Sequence, residues 1–134
     1  REVLEGFLEE KTIRNVIRLY DRLDLVLMGI GVPSTEQSTI LQTGYVDQSI
    51  LEAFAARGAV GDIALRYFDK HGDTTPFQEF NERVAGIPLD TVRRVPRRVG
   101  VAGGHAKTEA VLGAIRGGFI NVLITDIDCA EHLI

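Results

Sequence analysis

The 134-residue sequence contains no tryptophan, one cysteine and one methionine, and only 7% of its residues are aromatic. A single cysteine, Cys129, excludes an internal disulfide, and it fits a reducing cytoplasm as the expected compartment. Long apolar runs are missing as well, so no stretch is able to span a bilayer and no membrane partner is expected. There is no basic-then-apolar opening of the secretory kind. Neither sign of charge dominates: the formal net charge is −4 and no long run of one sign occurs. A basic face able to grip DNA is therefore not expected within these residues. The three histidines, His71, His105 and His132, lack metal-ligand spacing, and no metal is expected. One Gly-x-Gly occurs, at Gly29-Ile30-Gly31, without the rest of a dinucleotide fingerprint, so no nicotinamide or other cofactor is expected. Internal repeats, low-complexity tracts and flexible linkers are absent too.

What is present reads as one globular domain. Hydrophobic residues make up 45% and charged residues 25%, which is ordinary globular usage. The chain opens on Arg1, within a helical pattern, and stops at Ile134 in an apolar stretch, so residues 1–134 are expected to be a piece of a longer protein.

Ile13, Val16, Ile17 and Tyr20 share one face at helical spacing, which predicts a helix over 10–21. Leu23 to Met28 is a short apolar run closed by Gly29-Ile30-Gly31-Val32-Pro33, a buried strand ending in a glycine turn. Residues 33–46 read as a loop, and Ile50, Leu51 and Phe54 mark a helix stopped by Gly58. Gly58 to Phe68 reads as extended chain, followed by the turn residues Asp69-Lys70-His71-Gly72-Asp73. The stretch 74–88 is either a hairpin partner or an irregular crossing. A short helix opens at Pro88-Leu89-Asp90 and ends before Pro96. Val99 to Ala102 is a strand, 105–116 a helix with Val111, Leu112 and Ile115 inward, and Asn121 to Thr125 another strand. Asp126 then precedes a last helix. Apolar strands alternating with helices give an α/β class with a parallel sheet covered on both faces.

The segment Val99-Gly100-Val101-Ala102-Gly103-Gly104-His105-Ala106-Lys107 is a strand, a glycine turn and a helix start carrying a lysine. Glycine lets a ligand approach the backbone, and a helix start offers unpaired N–H groups at a positive dipole end. Lys107 opposes that dipole, so a compensating anion is expected there, such as a phosphate or carboxylate. In open α/β sheets ligands bind beyond the carboxyl ends of the strands. Gly29-Ile30-Gly31, Gly103-Gly104 with Lys107, and Thr125-Asp126 would all reach one edge.

Plainer readings stand beside these. Gly29 and Gly31 serve equally as a tight turn. Asp126 is a candidate general base or hydroxyl acceptor, but also an ordinary helix cap, a job Asp128 could share. Asp62 and Asp69 flank the extended stretch, and Asp69 suits the start of its own turn. His105 stands beside Gly104, within reach of a ligand; His71 suits a turn and His132 a helix. Arg93, Arg94, Arg97 and Arg98 read as a solvated turn around Pro96. Cys129 reads as an inert buried thiol.

The order Gly29-Ile30-Gly31, Gly58-Ala59-Val60-Gly61-Asp62, Phe68-Asp69-Lys70-His71-Gly72 resembles the effector-binding domain of SorC-type bacterial transcriptional regulators. The tail carries the likeness further, through Val101-Ala102-Gly103-Gly104, Lys107, Ala114, Arg116-Gly117-Gly118 and Asn121-Val122-Leu123-Ile124-Thr125-Asp126. It extends from about Thr12 to the end. The resemblance implies a three-layer α/β/α fold with a mostly parallel, Rossmann-like sheet, shared with sugar-phosphate isomerases and deaminases. It implies a sensor of a sugar or sugar phosphate that acts on operator DNA through an N-terminal helix-turn-helix outside this chain. A homo-oligomer, dimer or tetramer, is implied too. This sequence would be the second half of the effector domain, with an incomplete sheet and pocket. On the same resemblance Gly29, Ile30 and Gly31 line the sugar, Gly103, Gly104 and Lys107 hold an anionic end, and Asp69 accepts a sugar hydroxyl. His105 keeps an open role.

Two other classes remain beside the sensor, which as a regulator needs no catalytic residue. One is a sugar-phosphate isomerase or deaminase with Asp126 or Asp69 as base. The other is a dimerisation module with a degenerate pocket.

Overall fold

A computed structural model describes residues 2–34, 41, 44 and 46–134. Most of the loop expected over 33–46 lies outside the described residues. Two helices open the chain, α1 (Glu2–Glu9) and α2 (Lys11–Leu19). Glu10 caps α2, its carboxylate accepting from the backbone N–H of Thr12 at 2.8 Å and of Ile13 at 3.0 Å. A tighter turn over Tyr20–Arg22 leads to β1 (Leu25–Gly29). Of the expected inward face of α2, Ile13, Ile17 and Tyr20 are half-buried, but Val16 is 49% exposed.

The chain continues through α3 (Gln48–Ala56), β2 (Ala59–Ile63), β3 (Arg66–Asp69), α4 (Gln78–Asn81), α5 (Leu89–Arg94), β4 (Arg97–Val101), α6 (Thr108–Arg116), β5 (Val122–Ile124) and α7 (Ile127–Leu133). Strands β1, β4 and β5 form a parallel sheet in the order β1-β4-β5. The register sets Leu27 beside Val99 and Val99 beside Val122. All three strands therefore end at one edge. The α/β class and the mostly parallel sheet stand as expected.

The stretch 58–68 is not a single extended segment. It is an antiparallel hairpin in which Ile63 pairs with Arg66 across Ala64-Leu65. Both turn residues have positive φ, 51° and 64°. A two-residue hairpin turn of this hand normally takes Asn-Gly, which is why the sequence concealed it. The left-handed backbone costs about 1–2 kcal/mol per residue; full burial of Ile63, Tyr67 and Phe68 offsets it. The stretch 74–88 is the irregular crossing, with a tight turn over Thr75–Phe77, the four-residue α4 and a loop. Arg66 organises that loop: its buried guanidinium donates to the carbonyls of Asn81, Val84, Gly86 and Ile87.

Helix α6 turns a different face inward from the one its large residues predict. Ala110, Val111 and Ala114 are fully buried, Leu112 is half-buried and Ile115 is 47% exposed. The hairpin approaches α6 so closely that small residues must face it. A Cβ on Gly113 would stand 2.7 Å from the backbone oxygen of Asp69, and one on Gly61 2.8 Å from the Ala110 methyl.

One core joins Ile30, Ile63 and Phe68 to α5, α6, Phe119 and Cys129, with Val26, Met28 and Leu123 of the sheet packed against it. A second gathers Leu51, Phe54, Tyr67 and Phe77 around α3. On the opposite sheet face Leu25, Leu27, Val101, Val122 and Ile124 are exposed, Leu27 by 65%. Helices flank the sheet, consistent with the expected three-layer α/β/α fold, while these side chains stay exposed among the described residues. No helix among them is long and apolar enough to cross a membrane.

Candidate functional site

The parallel sheet places the ends of β1, β4 and β5 together. Beyond β1, Ile30 donates its N–H to the Val101 carbonyl at 3.2 Å. Gly31 then pairs with Asp62 of the hairpin, Gly31 N–H to the Asp62 carbonyl at 2.9 Å and Asp62 N–H to the Gly31 carbonyl at 3.1 Å. That bridge carries the Asp62 side chain to the sheet edge. Glycine at 31 is demanded by it, since a Cβ there would fall 2.0 Å from Asp62 Oδ1. Ile30 contributes its backbone, because its side chain is buried in the core. Gly29 is exposed, with open space where a Cβ would stand.

Beyond β4 the chain turns through Gly103 and Gly104, the latter at φ 87°, into a tight turn over His105–Lys107. Lys107 flanks the first residue of α6, and its Nζ donates to the Ile30 carbonyl at 3.0 Å. The lysine is therefore tethered to the end of β1. One carbonyl takes one of its three donors, and an ammonium retains two more for a ligand. Compensation for a cation at a helix start comes in part from Asp62 and from Glu109 in the first turn of α6. Burial pushes the Asp62 carboxyl above the usual carboxylate range, while the Leu65 N–H and the Lys107 charge pull against that shift. Ionised Asp62 is thus costly here, and a ligand hydroxyl or cationic group would relieve it.

The free N–H groups expected at the glycine turn are occupied by the protein's own carboxylates. Gly104 N–H donates to Asp126 Oδ2 at 2.7 Å and His105 N–H to Asp128 Oδ2 at 2.9 Å. Asp126 also caps α7, its Oδ1 accepting from Cys129 N–H at 2.9 Å. Asp126 fills the cap role expected of it, whereas Asp128 does not share that job and serves the turn at His105 instead; Cys129 is buried. Beside them the Thr125 hydroxyl is buried without a hydrogen-bond partner among the described residues.

Asp69 is not brought to this edge. Its Oδ1 accepts from the N–H groups of His71 and Asp73 at 2.8 and 2.9 Å, the turn role its sequence suits. The turn packs against the far end of α6: Arg116 donates to the Lys70 carbonyl, and Gly72 lies against Gly117. The Asp69 backbone oxygen lies against Gly113, six residues and about 9 Å along the helix from Lys107. Asp62, rather than Asp69, is the carboxylate that lies beside Lys107 and Gly31 at this edge. Its signal was the Gly61-Asp62 pair, legible only once the bridge to Gly31 is known.

An open cleft of about 470 Å³ lies beside the turn, lined by Val32, Pro33, Ser34, His105, Thr108 and Glu109 among others. Among the described residues no group of three or more His, Cys, Asp or Glu could hold a metal ion. Of the arginines read as a solvated turn, Arg93 and Arg94 form exposed ion pairs with Asp90 and Asp21, and Arg93 also lies over the Phe119 ring.

The site can therefore offer an ammonium, a half-buried carboxyl and exposed glycine backbone to a small polar ligand. Comparison with known proteins gives this geometry a context. The sugar-binding domain family Sugar-bind matches residues 1–134. The transcriptional regulator LsrR of Escherichia coli K12 is 36% identical over 126 residues, 93% of this chain and 40% of the regulator. A DeoR family transcriptional regulator from Listeria monocytogenes superposes with a TM-score of 0.89 at 27% identity, covering 99% of this chain and 53% of that one. The full-length sorbitol operon regulator SorC from Klebsiella pneumoniae superposes with a TM-score of 0.83 at 28% identity, covering 98% of this chain and 42% of that one. The chain thus spans about half or less of the relatives it matches. Matched along its whole length, it belongs to the Sugar-bind family, the sugar-binding domain of SorC-type transcriptional regulators.

Proposed function

We propose that this chain is the effector-sensing part of a bacterial transcriptional regulator, and that it binds a sugar or sugar phosphate at the carboxyl edge of β1, β4 and β5. The observation that carries the reading is Lys107, held on the Ile30 carbonyl beside the half-buried Asp62. In this arrangement Lys107 takes the anionic end of the ligand and Asp62 accepts a sugar hydroxyl. The exposed backbone of Gly29 and of the Gly103-Gly104 turn lets the ring approach, and His105 lines the cleft beside it. No chemistry is needed. An effector that favours one arrangement of subunits biases operator affinity by its differential binding alone. Operator DNA would be gripped by a domain outside this chain, in a homo-oligomer.

The isomerase or deaminase reading has less support. Both Asp126 oxygens accept backbone hydrogen bonds, and the Asp69 carboxylate is engaged by the N–H groups of its own turn, away from this edge. The relatives named above are all regulators.

A thermal-shift screen of the full-length regulator against sugars and sugar phosphates tests the reading. A ligand at 100 times its Kd stabilises the folded state by about 2.7 kcal/mol. The expected result is a rise in Tm with one member of the set, largely lost in Lys107→Ala. A tenfold loss of affinity corresponds to about 1.4 kcal/mol, within reach of one charge-assisted contact. An unchanged shift in a folded Lys107→Ala variant would overturn the reading.

A further inference from the structure

Three contacts lock the turn carrying Lys107 to the last helix. Gly104 N–H is held by Asp126 and His105 N–H by Asp128. The third is a ring contact, with the His105 and His132 centroids 4.0 Å apart. The fit is tight, because a Cβ on Gly103 would meet Asp126 Oδ2 at 2.7 Å. Asp126 ties the two parts with one side chain, giving one oxygen to the turn and the other to the first turn of α7. The turn ends at Lys107, whose Nζ reaches Ile30. Only Ala106 separates the Asp128 contact at His105 from Lys107, and the tight turn with its Thr108 hydroxyl on the His105 carbonyl, at 2.8 Å, leaves little slack.

From this we infer that α7 is the output element of the effector site, with Asp126 and Asp128 as positioning residues that hold Lys107 through the turn over residues 103–107. The inference rests on the effector reading, and deepens it: it names where occupancy is felt. Coupling between two parts of a protein is reciprocal. Whatever orders Lys107 must also order the start of α7, and loosening α7 must loosen Lys107. Neither carboxylate needs to touch the ligand for this.

The test needs no ligand, so its failure is separate from failure of the effector reading. Hydrogen exchange is followed by NMR in the full chain and in Asp128→Ala, Asp128→Asn and Lys107→Ala. In Asp128→Ala the Lys107 ammonium protons should exchange at least tenfold faster. In Lys107→Ala the Cys129 and Ala130 amides of α7 should exchange faster by a similar factor. Val111 and Ala114 in α6 should keep their protection in both variants. Asp128→Asn, which keeps an acceptor oxygen, should restore most of the Lys107 protection. Unchanged Lys107 exchange in Asp128→Ala, or unchanged α7 exchange in Lys107→Ala, would overturn the coupling. An equal loss of protection throughout α6 would overturn it too, by showing that the carboxylates only stabilise the fold.

Discussion

Lys107 and Asp62 show how a residue's chemistry here is set by backbone that sequence distance hides. Asp62 stands 45 positions before Lys107 in the chain, yet the Gly31 bridge brings both to the end of β1. Burial raises the Asp62 pKa in the folded protein, so the native state holds that proton to higher pH than the unfolded chain does. Between the unfolded value and the raised one the native state binds more protons, and stability must fall as pH rises through that window. Asp62→Asn keeps an acceptor for the Leu65 N–H while removing the charge. It should be more stable than the parent at pH 7–8 in urea unfolding, with the difference shrinking as pH falls into the range where Asp62 itself is protonated. A variant that is less stable at pH 8, or a difference independent of pH, would contradict this electrostatic account. The strand, glycine turn and helix start that carry Lys107 were legible because they are local patterns. Asp62 was not, because its place depends on a bridge between Gly31 and Asp62 that no local pattern announces. Asp69 drew attention by the same limitation: its sequence context marks a turn and says nothing of which end of α6 that turn meets.

Helix α6 and the β2–β3 hairpin show at the scale of elements why strand and helix order was legible while faces and turns were less so. The apolar runs read at 23–28, 99–102 and 121–125 mark the three parallel strands, bounded in the structure at 25–29, 97–101 and 122–124; Arg97 and Arg98, read as part of a solvated turn, instead open β4. Pro88 and Pro96 bracket α5, and Gly58 closes α3, as their chemistry requires. The hairpin turn at Ala64-Leu65 carries no glycine or asparagine, so it went unread. The inward face of α6 went unread because close approach selects Ala110, Gly113 and Ala114 over the larger Leu112 and Ile115. The packing makes a paired prediction. Alanine is favoured over glycine in a helix by about 1 kcal/mol, so Gly6→Ala in α1, with nothing within 4 Å of the new methyl, should not lower the thermal midpoint. Gly113→Ala carries the same propensity gain but puts its methyl 2.7 Å from a backbone oxygen that cannot rotate away. Overpacking of this kind costs about 1–3 kcal/mol, and the variant should melt below the parent. Equal or higher stability for Gly113→Ala would mean that the hairpin does not sit as closely on α6 as described.

At the scale of the molecule, a parallel sheet wants cover on both faces, and here one face carries Leu25, Leu27, Val101, Val122 and Ile124 in the open. An apolar strip of that kind is unusual for an independent surface. It accords with a chain that spans 40% of LsrR and about half of the solved regulator domains it superposes on. The central claim is narrower than the whole regulator: Lys107 gives this edge its preference for an anionic ligand. A calorimetric titration of the full-length regulator tests it most directly, with a sugar phosphate that raises its Tm and the unphosphorylated parent sugar, against wild type and Lys107→Ala. The wild type should favour the phosphorylated form at least tenfold, and Lys107→Ala should bind the two forms nearly alike. A Lys107→Ala variant that keeps the full preference would place the anion elsewhere and contradict the account.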